Sequence, residues 1–181
     1  MPFDLQPTLT GDLVQLRPLR AADWDALHAA ASDPLIWAQH PESDRYKPDV
    51  FRRYFDGGLA SGGAFVVIDR RTGAVIGSTR YSGYDEAAGV VEIGWTFLTR
   101  AHWGGAYNRE MKRLLVEHAL RSVGRVVFSV GVTNIRSQRA MEKIGGVRAG
   151  TCVNSAGHDS VIFEITAPIP PSSPGDSGVR S

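Results

Sequence analysis

The chain has 181 residues, 43% hydrophobic and 22% charged, with a formal net charge of +1. This is an ordinary globular composition of a length that suits one domain around one core, with no field of one sign to attract nucleic acid or another polyanion. The lone Cys152 excludes an internal disulfide, no signal segment opens the chain, and no apolar run nears the roughly 18 residues of a membrane span, so the expectation is a cytoplasmic protein without nucleic-acid or membrane partners.

In chain order, residues 12–19 read as a first strand through Leu13, Val14, Leu16 and Leu19, interrupted by Pro18. Residues 21–32 carry a helical apolar stripe that Asp33-Pro34 closes. The pattern lapses over 35–48, and a second helix then runs from Pro48-Asp49 through Val50, Phe51, Tyr54, Phe55 and Leu59 to Gly62-Gly63. Residues 64–69 and 74–81 form a hairpin about the turn 70–73, and the turn 84–89 leads into a strand at 90–98.

After the interruption 99–105 comes the clearest helix, with Tyr107, Met111, Leu114, Leu115, His118 and Ala119 on one face and Glu117 pairing with Arg121 on the other. Gly124 ends it. Residues 125–130 form a short buried strand, and Thr133 or Asn134 caps a helix running to about Ile144. Strands at 147–153 and 160–166 flank the turn 154–157. The tail 167–181, rich in Pro, Ser and Gly, is too poor in apolar groups to repay its ordering entropy and is set outside a domain of residues 1–166.

Three stretches can carry chemistry. In the strand at 90–98, alternation puts Glu92 with Gly94 and Thr96 on one face and Val91, Ile93, Trp95 and Phe97 on the other. Partial burial would lift the Glu92 carboxyl toward the range of a general base, while the same pattern admits a glutamate on a solvated strand. Next, Trp103-Gly104-Gly105-Ala106-Tyr107-Asn108 opens onto the central helix, where free backbone N–H groups favour a pyrophosphate, although paired glycines also make simple turns. Finally, Arg136, Arg139 and Lys143 form a basic stripe on the helix after Asn134. The stripe suits phosphates and equally suits a solvated face.

Other chemistries lack their signatures. There is no triphosphate loop, no G-x-G-x-x-G, no G-x-S-x-G elbow and no metal-ligand spacing among the five histidines, so no metal is expected. His118 reads as a satisfied core histidine.

In combination and order, Glu92-Ile93-Gly94-Trp95, Trp103 through Glu110 and Asn134 through Gly145 resemble the GNAT superfamily of N-acetyltransferases, most closely its RimJ/RimL-type branch. The second stretch is similar to the coenzyme loop W-G-x-G-y-a-x-E and the third to N-x-x-S-x-x-x-x-x-K-x-G. The resemblance implies an α+β fold: a mostly antiparallel sheet of six to seven strands, its fourth and fifth strands parallel and splayed, flanked by about four helices. It implies acetyl-CoA as co-substrate, with Phe97, Leu98 and Thr99 holding the pantetheine arm. The amides of Gly104, Gly105, Ala106, Tyr107 and Asn108, beside Trp103, would hold the pyrophosphate, Asn134 would hold the coenzyme near its thioester, and Ser137 and Arg139 would complete the binding set.

The resemblance further implies direct transfer to an amine-bearing acceptor, a peptide N-terminus or a small molecule, in a ternary complex. Glu92 would be the base, directly or through a water, and Ser137 or a water the group assisting the thiolate, because Met141 stands where many members carry a tyrosine acid. Ala106 and Asn108 replace the usual small residues of the loop. A homodimer is expected by resemblance only. The rival readings are a non-catalytic acyl-CoA-binding regulatory module and an enzyme of this fold using a longer acyl or an aminoacyl donor.

Overall fold

A computed structural model of the chain describes residues 2–154 and 157–171. Eight strands form one sheet: β1 (Leu9–Thr10), β2 (Val14–Pro18), β3 (Ala64–Asp69), β4 (Val75–Asp85), β5 (Val90–Leu98), β6 (Arg125–Gly131), β7 (Val147–Val153) and β8 (Asp159–Ile165). Their spatial order is β1-β2-β3-β4-β5-β6-β8-β7, and every neighbouring pair is antiparallel except β5 with β6. The eighth strand, beyond the expected six to seven, is the two-residue β1, too short to leave an alternation in the sequence. The helices are α1 (Trp24–Ala31), α2 (Pro48–Ser61), α3 (Ala106–Ala119) and α4 (Ile135–Lys143).

Local chemistry sets the helix ends. Pro48 occupies the first turn of α2, and Gly62 closes that helix at φ 64°, a left-handed conformation that glycine adopts without a Cβ penalty. Asp23 accepts from the Arg20 amide ahead of α1 and takes two hydrogen bonds from Arg17 at 2.9 and 2.7 Å. No helix among the described residues is long and apolar enough to cross a membrane.

The sheet buries both faces. On one lie Val14, Leu16, Phe65, Val91 and Ile93 with Met111, Leu115, Val116 and Ala119 of α3, Met141 of α4 and Ile144 just after it. On the other, Ala64, Val66 and Phe97 pack against Leu27 and Ala31 of α1 and Phe51, Tyr54 and Phe55 of α2. Ile169 is 2% exposed and belongs to the first cluster, and the Arg109 guanidinium donates to the Pro170 carbonyl at 3.1 and 3.2 Å. Residues 167–171, set outside the domain on composition, therefore pack against it: one isoleucine between prolines finds a core site, and that holds the chain through 171. Residues 172–181 and the turn residues 155–156 lie outside the described residues.

The long helix also departs from its expected face. Lys112 and Val116 are buried beside Met111, Leu115 and Ala119, while Glu117 pairs with Arg113 at 3.0 Å rather than with Arg121.

Candidate active site

Strands β5 and β6 pair only through Val90, Val91 and Glu92 with Arg125, Val126 and Val127, and beyond that point they separate. The separation opens a cleft of about 1960 Å³, walled by the second half of β5, by β6 and by the starts of α3 and α4. A pocket for a single drug-sized molecule is about 300–1,000 Å³, so this space suits two substrates side by side.

A bulge shapes the β5 wall. Ser78 of β4 faces Phe97 and Arg80 faces Gly94, so two steps on β4 meet three on β5. Trp95 absorbs the extra residue at φ 50°, the only positive value among the described residues other than glycine. One extra residue reverses the alternation. Val91 and Ile93 therefore share their face with Leu98, whereas Phe97 packs on the opposite side. The even-numbered face expected from the sequence breaks at the same place, because Thr96 turns to α3 and receives a hydrogen bond from Lys112 Nζ at 3.0 Å.

Glu92 lies half-buried where the parallel pairing ends, and its carboxylate has no hydrogen bond or ion pair among the described residues. Burial alone raises its pKa above the ordinary carboxylate value. At the other end of the cleft, α3 begins at Ala106 with no side chain capping it, so the first amides of a fourteen-residue helix are left as donors. Gly104 takes φ 82°, and a Cβ on Gly104 or Gly105 would meet nothing within 4 Å, which leaves room above the loop for a ligand. Ala106 is helical, so its methyl group does not distort the loop.

Four side chains brace that loop. His102 lies between the Thr99 hydroxyl at 2.6 Å and Asp69 Oδ2 at 3.2 Å, and the Tyr107 hydroxyl donates to the same Asp69 oxygen at 3.4 Å. Thr99 is occupied there, its amide donating to Ile76, and it does not line the cleft. The other expected site residues do: Glu92, Phe97, Leu98, Trp103, Gly104, Gly105, Ala106, Tyr107, Asn108, Asn134, Ser137 and Arg139. Two of them have partners that narrow what they can offer a ligand. Asn134 Oδ1 caps α4 by accepting the Ser137 amide at 3.2 Å, leaving its amide nitrogen as the free end, and the Leu98 carbonyl accepts Trp103 Nε1 at 2.8 Å.

The basic stripe of α4 borders the cleft, and among the described residues Arg136, Arg139 and Lys143 form no ion pair. Arg136 instead stacks over the Trp103 ring at 3.6 Å. The α3 start, the open loop and these cations fit a pyrophosphate-bearing coenzyme.

Sequence reasoning missed Lys112 and Arg80. Lys112 is 5% exposed, lies 4.9 Å from the Phe128 ring, and is pushed down to about 7 by burial. The Thr96 hydroxyl that it reaches continues to Thr79 at 2.9 Å. Its signal was the helical spacing to Leu115, Val116 and Ala119, which places residue 112 on the core face. Arg80, buried on β4, had the same signal as Glu92: a charge inside a strand of apolar and small residues.

A bulged strand splaying from a parallel neighbour, with an uncapped helix start across the gap, is the frame of an acyltransferase. Residues 14–147 match the family model described as the acetyltransferase (GNAT) domain, and the chain belongs to that family. Among solved structures it is similar to a GCN5-related N-acetyltransferase from Brucella melitensis, with 24% identity and a TM-score of 0.79 over 89% of this chain and 79% of that one. It is also similar to a GNAT-family acetyltransferase from Bacillus anthracis, with 20% identity and a TM-score of 0.73 over 88% and 98%. Mycobacterium smegmatis RimJ, solved in complex with CoA-disulfide, shares 19% identity at a TM-score of 0.70 over 89% and 88%. No curated protein matches the chain.

Proposed function

We propose that the chain is an acetyl-CoA-dependent N-acetyltransferase that acetylates a primary amine by direct attack in a ternary complex. The observation that carries the reading is the pairing, within one cleft, of an unpartnered carboxylate at Glu92 with the uncapped start of α3. Bound acetyl-CoA would supply an activated acetyl group and a thiolate leaving group. The amides of residues 104–108 and the unpaired cations of α4 hold its pyrophosphate.

Glu92 takes a proton from the acceptor ammonium, directly or through a water, and its raised pKa brings it closer to the working pH as a base. Backbone N–H groups at the β5 bulge polarise the carbonyl that is attacked. Ser137, in the cleft near the start of α4, passes its hydroxyl proton to the departing sulfur as the attacking nitrogen gives up its second proton to the same oxygen, the place of the tyrosine that Met141 does not supply.

The test measures thiol release from acetyl-CoA against a library of amines and peptides, with calorimetric titration of coenzyme A alongside. Glu92→Gln should slow transfer by about 10²-fold or more while coenzyme binding persists. Turnover unchanged in that variant removes Glu92 from the mechanism, and a chain that does not bind coenzyme A overturns the reading altogether. Binding without thiol release across the whole library supports the regulatory module instead.

A further inference from the structure

The half of the cleft away from α3 is lined by Arg45, Arg53, Tyr54, Arg80 and Glu92. Arg80 is 8% exposed, yet no carboxylate among the described residues pairs with it. Among the described residues its one hydrogen bond runs from Nη2 to the Tyr54 carbonyl at 3.3 Å, and its buried Nε has no partner there. Aromatic rings hold it in place, with Trp95 4.7 Å and Tyr54 5.8 Å from the guanidinium carbon.

The seat is shaped for that group. Gly57 and Gly58 lie inside α2, where glycine is destabilising. A Cβ at Gly58 would meet Leu19 Cδ2 at 3.0 Å and Arg80 Nη2 at 3.3 Å, whereas one at Gly57 would reach Nη2 only at an ordinary contact distance of 4.0 Å. One helix-weakening residue, Gly58, therefore sits where Leu19 and the guanidinium together leave no room for a side chain. The neighbouring cation, Arg45, lies 5.0 Å from the Tyr54 ring and is answered by Glu42, and His40 is kept neutral by burial, its pKa lowered to about 4. Arg53, exposed at the rim, forms no ion pair among the described residues.

Arg80 and Glu92 are near neighbours. Arg80 faces Gly94 across the β4–β5 ladder and Ser82 faces Glu92, so the two charged residues stand one diagonal step apart on one side of the sheet. They form no ion pair, and Arg80 turns to Trp95 while Glu92 stays unpartnered. Opposite charges placed this close and left apart form a two-point receptor. The carboxylate can receive an ammonium and the guanidinium an anion.

We propose that Arg80 forms an anion subsite beside Glu92 and that the acceptor is a small primary amine carrying a carboxylate a few bonds from its nitrogen, an amino-acid-like molecule. This rests on the acetyltransferase reading for the fate of the amine, while the subsite is a matter of binding alone. A guanidinium that is buried, always charged and unpaired is satisfied by such a ligand. A neutral amine or a peptide N-terminus without a nearby carboxylate leaves it as it is.

The test uses the full chain and amino acids paired with their decarboxylated amines. Each is titrated by calorimetry without acetyl-CoA, then compared in kcat/KM with acetyl-CoA present. The carboxylated member of the preferred pair should bind about 10- to 100-fold more tightly. In Arg80→Met, which keeps a stem against the Tyr54 and Trp95 rings, that ratio should fall to about one, and in Arg80→Lys it should be partly restored. Thermal melts and coenzyme A titration of both variants establish that they fold. Equal binding of both members by the wild type overturns the subsite, as does an Arg80→Met effect shared equally by both. Failure to bind coenzyme A, with the carboxylate preference intact, overturns the acetyltransferase reading and leaves the subsite standing.

Discussion

Glu92 and Lys112 are charged residue types lodged where water is scarce, and burial drives them in opposite directions, the carboxyl up and the ammonium down to about 7. Neither has an ion-pair partner among the described residues to offset that cost. A carboxyl with a raised folded pKa costs nothing below its unfolded value near 4.5 and its full amount above its folded value. Glu92→Gln should therefore raise the melting temperature at neutral pH, an advantage lost below about pH 4.5, even as it abolishes the acid limb of the kcat/KM profile. A catalytic carboxylate shows both effects, and a solvated one shows neither. For Lys112 the cost is complete below about pH 7 and fades as pH climbs toward 10.5, where the amine is neutral folded or unfolded. Urea titrations of Lys112→Met at pH 6, 8 and 10 should thus show a stabilisation that is largest at pH 6 and shrinks at each step. A constant difference would mean that the ammonium is not desolvated.

At the scale of elements, the Glu110 carboxylate accepts three backbone amides, those of Asp12, Leu13 and Val14, at 2.9, 2.7 and 2.8 Å. It ties α3 to the β1–β2 turn, so the glutamate ending the coenzyme-loop motif anchors the helix on the side away from the cleft. Glu110→Ala should cost about 2 kcal/mol and lower the melting temperature by about 4–8 °C in a thermal scan. Asn134 also serves an element, as the cap of α4. Asn134→Asp keeps an acceptor for the Ser137 amide and removes the donor nitrogen, whereas Asn134→Ala loses the cap at about 1 kcal/mol. If the nitrogen contacts the coenzyme, calorimetry should show both variants weakened and melting should show only the alanine variant destabilised. These elements were legible because they follow periodicity, proline and glycine at helix ends, and a capping asparagine. The β5 bulge was not: period-two reasoning assumes an unbroken ladder, and one inserted residue at Trp95 exchanges the faces of Thr96, Phe97 and Leu98.

For the whole molecule, the chain order of strands and helices was readable from periodicity, whereas the single parallel pair was singled out by the family resemblance, since helix-length patterns also separate β2 from β3, which pair antiparallel, and β6 from β7, which do not pair. The half of the cleft around Arg80 was not legible, because Tyr54, Arg80 and Trp95 meet only through contacts between α2, β4 and β5 that no local pattern encodes. The cleft itself follows from brevity, since three registers of parallel pairing join the β1–β5 part of the sheet to the β6–β8 part. A ligand bridging the β5 wall, the α3 start and α4 should therefore stabilise the entire fold rather than one loop. At a coenzyme A concentration of about 100 times its Kd, the linkage is worth about 2.7 kcal/mol, a rise of about 5–10 °C in melting temperature. Gly104→Val places a β-branched residue at φ 82° in the loop that opens α3. Coenzyme binding should weaken and most of that rise should be lost, whereas Glu92→Gln, at the far end of the same cleft, should retain it. An equal thermal response in wild type and Gly104→Val would place the coenzyme elsewhere and separate the helix start from the chemistry assigned to it.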